Sequence, residues 1–323
     1  MTWIGSQLGP YEVHGFIAKG GMGEVYRARD LRLNRQVALK VLAPGANADA
    51  EGLARFTQEA RTTARLNHPN IVSVYDVGAH EGVPFVVSEL LEGQTLRDRL
   101  RDGALPTRSA VGYGLEITQG LIAAHDVGVV HRDLKPENVF ITRENRVKIL
   151  DFGLAKVRNQ TLGPPRRDSG ISTRPGMLLG TVGYMSPEQV RGDRTDHRSD
   201  IFSLGVMLHE MISGAPPFRG DSTVETLYAI LKGEPPPLHD RNGPVTDALG
   251  SIVEHCLEKD PVGRFQSARD LAFTLDLVLR SVHAHRDTLG VQRRALASLL
   301  PSLSTTMFGL MSAVVDLCTR RFR

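Results

Sequence analysis

The sequence predicts an α+β architecture in two lobes, a small β-rich lobe over about 11–90 and a larger helical lobe over about 91–280. Three observations predict it. Short β-type runs fill the first stretch, among them Val37-Ala38-Leu39-Lys40-Val41 and Phe85-Val86-Val87. Apolar residues then recur at helical spacing, as at Val111, Leu115, Leu121 and Ile122. The chain has 323 residues, and at roughly 100–200 residues per domain that length suits two such bodies.

Each element has its own signal. The runs Tyr11 to Ile17 and Glu24 to Ala28 flank a glycine cluster and read as two strands of a hairpin. One helical stretch, about Ala50 to Leu66, interrupts the β region and stops at the breaker cluster Asn67-His68-Pro69-Asn70. The join between lobes falls near Leu90 to Thr95, where Gly93 allows a bend. Ile201 to Ile212 is almost wholly apolar and predicts a buried helix, and Leu249, Ile252, Val253, Cys256 and Leu257 mark another. Glu234-Pro235-Pro236-Pro237 predicts a surface loop, and no internal repeat is present.

Composition excludes several classes. Hydrophobic residues make up 41% and charged residues 23%, enough for a core and against wholesale disorder. The net charge of +3 is too small to argue for nucleic acid, and none is expected as a partner. Two cysteines, Cys256 and Cys318, make neither a disulfide framework nor a metal pattern, which suits a reducing compartment. Met1 to Tyr11 lacks a basic start followed by an apolar run, so a cytoplasmic location is expected.

The tail, 281–323, differs from the rest. Residues 295–315 carry no charge, but Leu296, Leu299, Leu300, Leu303, Met307, Leu310, Met311 and Val314 fall on one stripe. That spacing predicts an amphipathic helix for docking or for pairing two chains. A membrane anchor is the alternative reading of the same segment.

The chemistry-bearing residues lie in three places. Ile17-Ala18-Lys19-Gly20-Gly21-Met22-Gly23-Glu24-Val25 can bring backbone N–H groups close to phosphate oxygens, although a tight turn would use glycines equally. Its strand–loop–strand setting excludes a dinucleotide fold, which needs strand–loop–helix. Lys40 is a lone charge inside an apolar strand, and Glu59, on the helical stretch, is its natural carboxylate partner. The third place is His131-Arg132-Asp133-Leu134-Lys135-Pro136-Glu137-Asn138, followed by Asp151-Phe152-Gly153 after the strand-like Val147-Lys148-Ile149-Leu150. Asn138 and Asp151 offer hard oxygen ligands for a magnesium ion bound to nucleotide phosphates. Asp133 remains to receive or orient a hydroxyl proton, and Lys135 to neutralise charge near a transferred group.

These motifs, in this order, resemble the protein kinase superfamily over roughly Tyr11 to Leu279. The resemblance extends to Ser186-Pro187-Glu188, to Asp200-Ile201-Phe202-Ser203-Leu204-Gly205, and to Arg264, which looks like the partner of Glu188. The text around Gly20 to Tyr26 and Met185 to Gln189 is most similar to bacterial serine/threonine kinases of the eukaryotic type. Lys135 and Thr181 resemble the hydroxyl-kinase pattern.

The resemblance implies a protein-kinase-like bilobal fold, ATP and Mg2+ as cofactors, and protein substrates carrying Ser or Thr. It implies that Lys40, held by Glu59, orients phosphates, and that the Glu89 carbonyl and Leu91 amide hold adenine. It also makes Arg132 the partner of a phosphate on the segment from Asp151 to Glu188. Ser172 and Thr173 are the preferred autophosphorylation sites, with Ser169 beside them, and a signalling role follows. Two departures stand out. Ala18 replaces a usual glycine, at a cost of about 1–2 kcal/mol if a left-handed backbone were needed. Ser88 is smaller than the residue that often guards the back of the adenine pocket. A catalytically inactive scaffold of the same fold is the alternative, and a small-molecule kinase of related fold is a third reading.

Overall fold

The computed structural model describes residues 3–20, 23–42, 63–152, 182–238 and 247–280. The chain forms two compact units, 1–276 and 277–323, and of the second only residues 277–280 are described, as the end of a helix that begins at 268. The β-rich and helical lobes belong to the first unit.

The small lobe is a six-stranded antiparallel sheet in the order β1-β2-β3-β4-β6-β5. Its strands are β1 (Gln7–Leu8), β2 (Tyr11–Gly20), β3 (Gly23–Asp30), β4 (Arg35–Leu42), β5 (Val74–His80) and β6 (Val83–Glu89). Alternation builds it. Val37, Leu39 and Val41 of β4 are buried with Tyr26, Ala28, Phe85 and Val87 in one core. The period of two then places Lys40 on the opposite face, paired in register with Val25 and Val86. The β5–β6 hairpin turns at Glu81 and Gly82, both with positive φ, as a right-twisted two-residue turn requires.

Three short strands follow: β7 (Gly93–Thr95), β8 (Val139–Thr142) and β9 (Val147–Ile149), paired as β7-β8-β9; β9 is the strand-like run expected from sequence, whereas β7 carried no such signal. Gly93 has φ +146, and a Cβ there would lie 2.1 Å from the Ile141 carbonyl oxygen. Its role is therefore close approach to β8, more specific than the bend expected from sequence.

The helices are α1 (Leu96–Leu100), α2 (Thr107–His125), α3 (Pro187–Arg191), α4 (His197–Ser213), α5 (Thr223–Lys232), α6 (Asp247–Cys256) and α7 over 268–280. The buried helix expected at Ile201 to Ile212 is α4, and Ile201, Phe202, Leu204, Val206, Met207, Leu208, Met211 and Ile212 are all fully buried. Each such side chain contributes about 1.5–3 kcal/mol on burial. Gly114 lets α2 approach α4, since a Cβ there would sit 2.6 Å from Leu208. Asp196 caps α4 by accepting the Arg198 N–H. The Pro-rich stretch at 234–237 is a surface loop, as its composition predicts. Most of the helix expected at Ala50 to Leu66 lies outside the described residues, as does the tail from 281.

Candidate active site

Lys40 leaves the outer face of β4 and donates to Asp151 Oδ2 at 2.7 Å. Asp151 follows β9 and takes a left-handed backbone, φ +57. Such a conformation costs a non-glycine residue on the order of 1 kcal/mol or more and is concentrated where function holds it. The next residue, Phe152, is fully buried with its ring edge against His131, centroids 4.8 Å apart. Thr63 Oγ1 donates to the Phe152 carbonyl at 3.0 Å and so ties the start of this segment to the small lobe.

The loop from His131 to Asn138 meets Asp151 from the other side. Leu150 N–H donates to the Asn138 carbonyl at 2.8 Å. Asn138 Nδ2 donates to the Asp133 carbonyl at 2.7 Å and to its Oδ2 at 3.2 Å. Lys135 Nζ donates to the same Oδ2 at 2.8 Å. Lys40 and Asp151 are thus joined by one hydrogen bond, Asn138, Asp133 and Lys135 by others, and the Leu150 backbone next to Asp151 connects the two groups.

The loop is braced from beneath. His131 Nε2 faces the Leu150 carbonyl at 2.9 Å and its Nδ1 accepts from Asp133 N–H at 3.3 Å, a pattern that assigns the proton to Nε2. Asp200 of α4, fully buried, accepts the backbone N–H groups of His131 and Arg132, each at 2.8 Å, and faces His125 Nε2 at 2.9 Å. Burial alone would raise the Asp200 carboxyl, but the His125 hydrogen bond and the fields of His125 and His131 hold it below its ordinary value. Arg132 is the second left-handed residue of the site, φ +65, and Gln189 Nε2 donates to its carbonyl at 2.6 Å.

Two ionic clusters anchor the surroundings. Glu188 and Arg264 form a bidentate pair, both contacts 2.8 Å, with Ser199 Oγ donating to Glu188 at 2.6 Å. Arg264 is 2% exposed. Burial opposes ionisation of Glu188, yet Arg264 and Ser199 keep its carboxyl below the ordinary value. This pair bears out the partnership that the family resemblance implied. In the second cluster Arg97 of α1 donates to Glu137 at 2.8 Å, to Glu210 at 2.7 Å and to the Tyr184 hydroxyl. Burial and the Glu210 carboxylate push the Tyr184 hydroxyl far above the usual phenol range.

The glycine-rich hairpin is the β2–β3 turn, with Gly20 opposite Gly23 and Lys19 paired to Glu24 at 3.0 Å. Gly21 and Met22 lie outside the described residues. Ala18 sits in extended β2 opposite Val25 and is not among the positive-φ residues, so the strain considered for a Cβ there does not arise. Glu89 closes β6, where its carboxylate accepts from Ser73 N–H and Lys148 Nζ, both at 2.7 Å. Ser88 and Leu91 are half-buried beside it. Glu59, Gly153, Thr181, Ser169, Ser172 and Thr173 lie outside the described residues, so the described carboxylate partner of Lys40 is Asp151.

Sequence reasoning missed four supporting residues: His125, Lys148, Gln189 and the loop-holding role of Asp200. An acid directly before the apolar run Ile201 to Ile212 was the available signal for Asp200. The others carry none until the chain is folded.

Comparisons with known proteins identify the family and the fold. The family described as protein kinase domain matches residues 11–272. The serine/threonine-protein kinase PknB of Mycobacterium leprae is 40% identical over 266 residues, 81% of this chain and 42% of that protein. PknB of Mycolicibacterium smegmatis is 41% identical over 267 residues, 81% of this chain and 41% of that protein. The chain therefore spans about two fifths of the length of these curated relatives. A crystal structure of a mutant kinase domain of Mycobacterium tuberculosis PknI superposes with a TM-score of 0.65 at 28% identity, covering 84% of this chain and 96% of that one.

Proposed function

Because the chain belongs to the protein kinase family, we propose that it is an ATP-dependent serine/threonine protein kinase that modifies Ser or Thr hydroxyls of proteins in a signalling role. One observation carries the reading: the pair Lys40 and Asp151 and the group Asn138, Asp133 and Lys135, connected through the Leu150 backbone. In-line phosphoryl transfer asks a protein for positioning and charge stabilisation, and this arrangement supplies both.

The donor set fits a magnesium–nucleotide complex. Among the described residues neither Asn138 Oδ1 nor Asp151 Oδ1 accepts a hydrogen bond, while the other terminal atom of each side chain is engaged. These are hard oxygens, and magnesium needs only one or two from protein when phosphates and water complete the shell. Bound Mg2+–ATP supplies the phosphoryl group and neutralises charge on its oxygens. Lys40 directs its ammonium toward the phosphates while Asp151 steadies it. Asp133 accepts from, and so orients, the incoming hydroxyl, and Lys135 sets positive charge beside it. The residues that would hold the phosphates are those of the segment Ile17 to Val25, and the Glu89 carbonyl and Leu91 amide would take the adenine edge.

Arg132 supports control by phosphorylation of the segment from Asp151 to Glu188. Its Nε is buried and has no partner among the described residues, the state of a guanidinium that a phosphate would satisfy. Labelled ATP incubated with a generic basic protein and the full chain tests the reading. Transfer by wild type, and its loss in Lys40→Met and Asp133→Asn, is expected. Equal transfer by Asp133→Asn would sink the assignment.

A further inference from the structure

Where α2 ends and α4 begins, two imidazoles meet. His125 ends α2 and His197 begins α4, with ring centroids 5.5 Å apart and planes tilted by 59°. Both line a cavity of about 180 Å³, with Asp126 and Arg269 at 3.0 Å from one another on its wall.

The protons on these rings are set by their partners. Asp200 is an acceptor already engaged by two backbone N–H groups, so His125 Nε2 is the donor of their 2.9 Å bond. In the neutral ring Nδ1 then carries the lone pair, and that atom is buried with no partner among the described residues. The His125 side chain is only 10% exposed. His197 Nε2 faces the Gln266 carbonyl at 2.8 Å, so it too carries a proton, and the neutral ring presents its lone pair at Nδ1. A metal-ligating histidine almost always donates its other N–H to a carboxylate or a backbone carbonyl. His125 and His197 show one of each.

We propose that His125 and His197 form a binding site for an imidazole-preferring divalent transition metal ion, Zn2+ in the first instance, and that its occupancy lowers turnover by acting on the loop before Asp133. Two imidazoles sharing a tetrahedral zinc have centroids roughly 5 Å apart, given Zn–N of about 2.0–2.1 Å, close to the separation seen. Among the described residues no three His, Cys, Asp or Glu side chains converge for a metal, so water fills the remaining positions. Nitrogen ligation separates this site from the oxygen donors Asn138 and Asp151, which suit magnesium. The coupling is direct: a cation on His125 Nδ1 shifts the seat of the ring whose other nitrogen bonds Asp200, and Asp200 holds the backbone of His131 and Arg132.

Zinc chloride titrated into the metal-free full chain, with millimolar magnesium present, tests the binding half. Calorimetry should detect a zinc site in wild type that weakens about tenfold or more in His197→Ala, with His197→Gln behaving alike. Melting curves without zinc confirm that both variants fold, and His197 lies outside the machinery for phosphoryl transfer. Other histidines in the chain bind zinc equally in all three proteins, so the difference is the readout. Equal zinc affinity in wild type and both variants overturns the proposal. The coupling half rests on the kinase reading: zinc should lower turnover in wild type and spare His197→Ala, and zinc-loaded wild type with unchanged turnover overturns it. Because binding is read without activity, failure of the site is distinguishable from failure of that reading.

Discussion

Asp200, in the first turn of α4, holds Arg132 by its backbone: the Arg132 N–H donates to Asp200 Oδ1 at 2.8 Å. The residue so held is left-handed, and Asp133 is next in the chain. The position of the Asp133 carboxyl is therefore inherited from a buried side chain on the central helix of the large lobe.

Asp200→Asn should keep the fold and lose the geometry. The amide presents an NH2 to one of the donors that the carboxylate now accepts, and the loop must shift. A misplacement of about 1 Å near a reacting group costs on the order of 100-fold in rate. Turnover should fall by about that factor while nucleotide affinity, read by equilibrium binding, stays close to wild type. Unchanged turnover would separate the loop from Asp200.

Lys40→Met removes the ammonium that Asp151 holds at 2.7 Å. Loss of one preorganised charged donor costs about 10²–10³ in turnover. The pair is partly open to solvent, so thermal stability should change little. Steady-state rates and melting curves measured together check both halves.

The Glu188–Arg264 pair should govern acid stability. The folded Glu188 carboxyl lies below its ordinary value of 4.5. The unfolded chain therefore binds more protons as acidity increases. The pair's contribution is complete above about pH 5 and is lost as pH falls through the folded value. Glu188→Gln leaves Arg264 buried without its charge partner, at about 3–5 kcal/mol. The variant should melt lower at pH 7, and its loss between pH 7 and pH 4 should be smaller than that of wild type. An unaltered difference between the two pH values would remove Glu188 from the acid response.

Gly93→Ala tests the join between lobes. A Cβ placed 2.1 Å from the Ile141 carbonyl oxygen at φ +146 cannot be accommodated without moving β7 from β8. Strain of this kind costs about 1–3 kcal/mol, and a lower denaturant midpoint is the expected result. Gly128→Ala, where φ is also positive but no atom lies within 4 Å, is the control and should cost less.

The lobe order, the hairpin, the buried helix and the residues of chemistry were legible in the chain alone, because each rests on local information. Alternation placed Val37, Leu39 and Val41 inside and Lys40 outside, and the clustered polar residues of His131 to Asn138 between apolar runs marked the loop. Whatever depends on partners distant along the chain emerges only on folding. The bond from Lys40 to Asp151, the hold of Asp200 on His131 and Arg132, and the facing rings of His125 and His197 arise only when α2, α4 and β9 pack together. Hydrogen bonds and close approach act over a few ångströms, whereas a sequence pattern reports only which side of its own helix or strand a residue occupies.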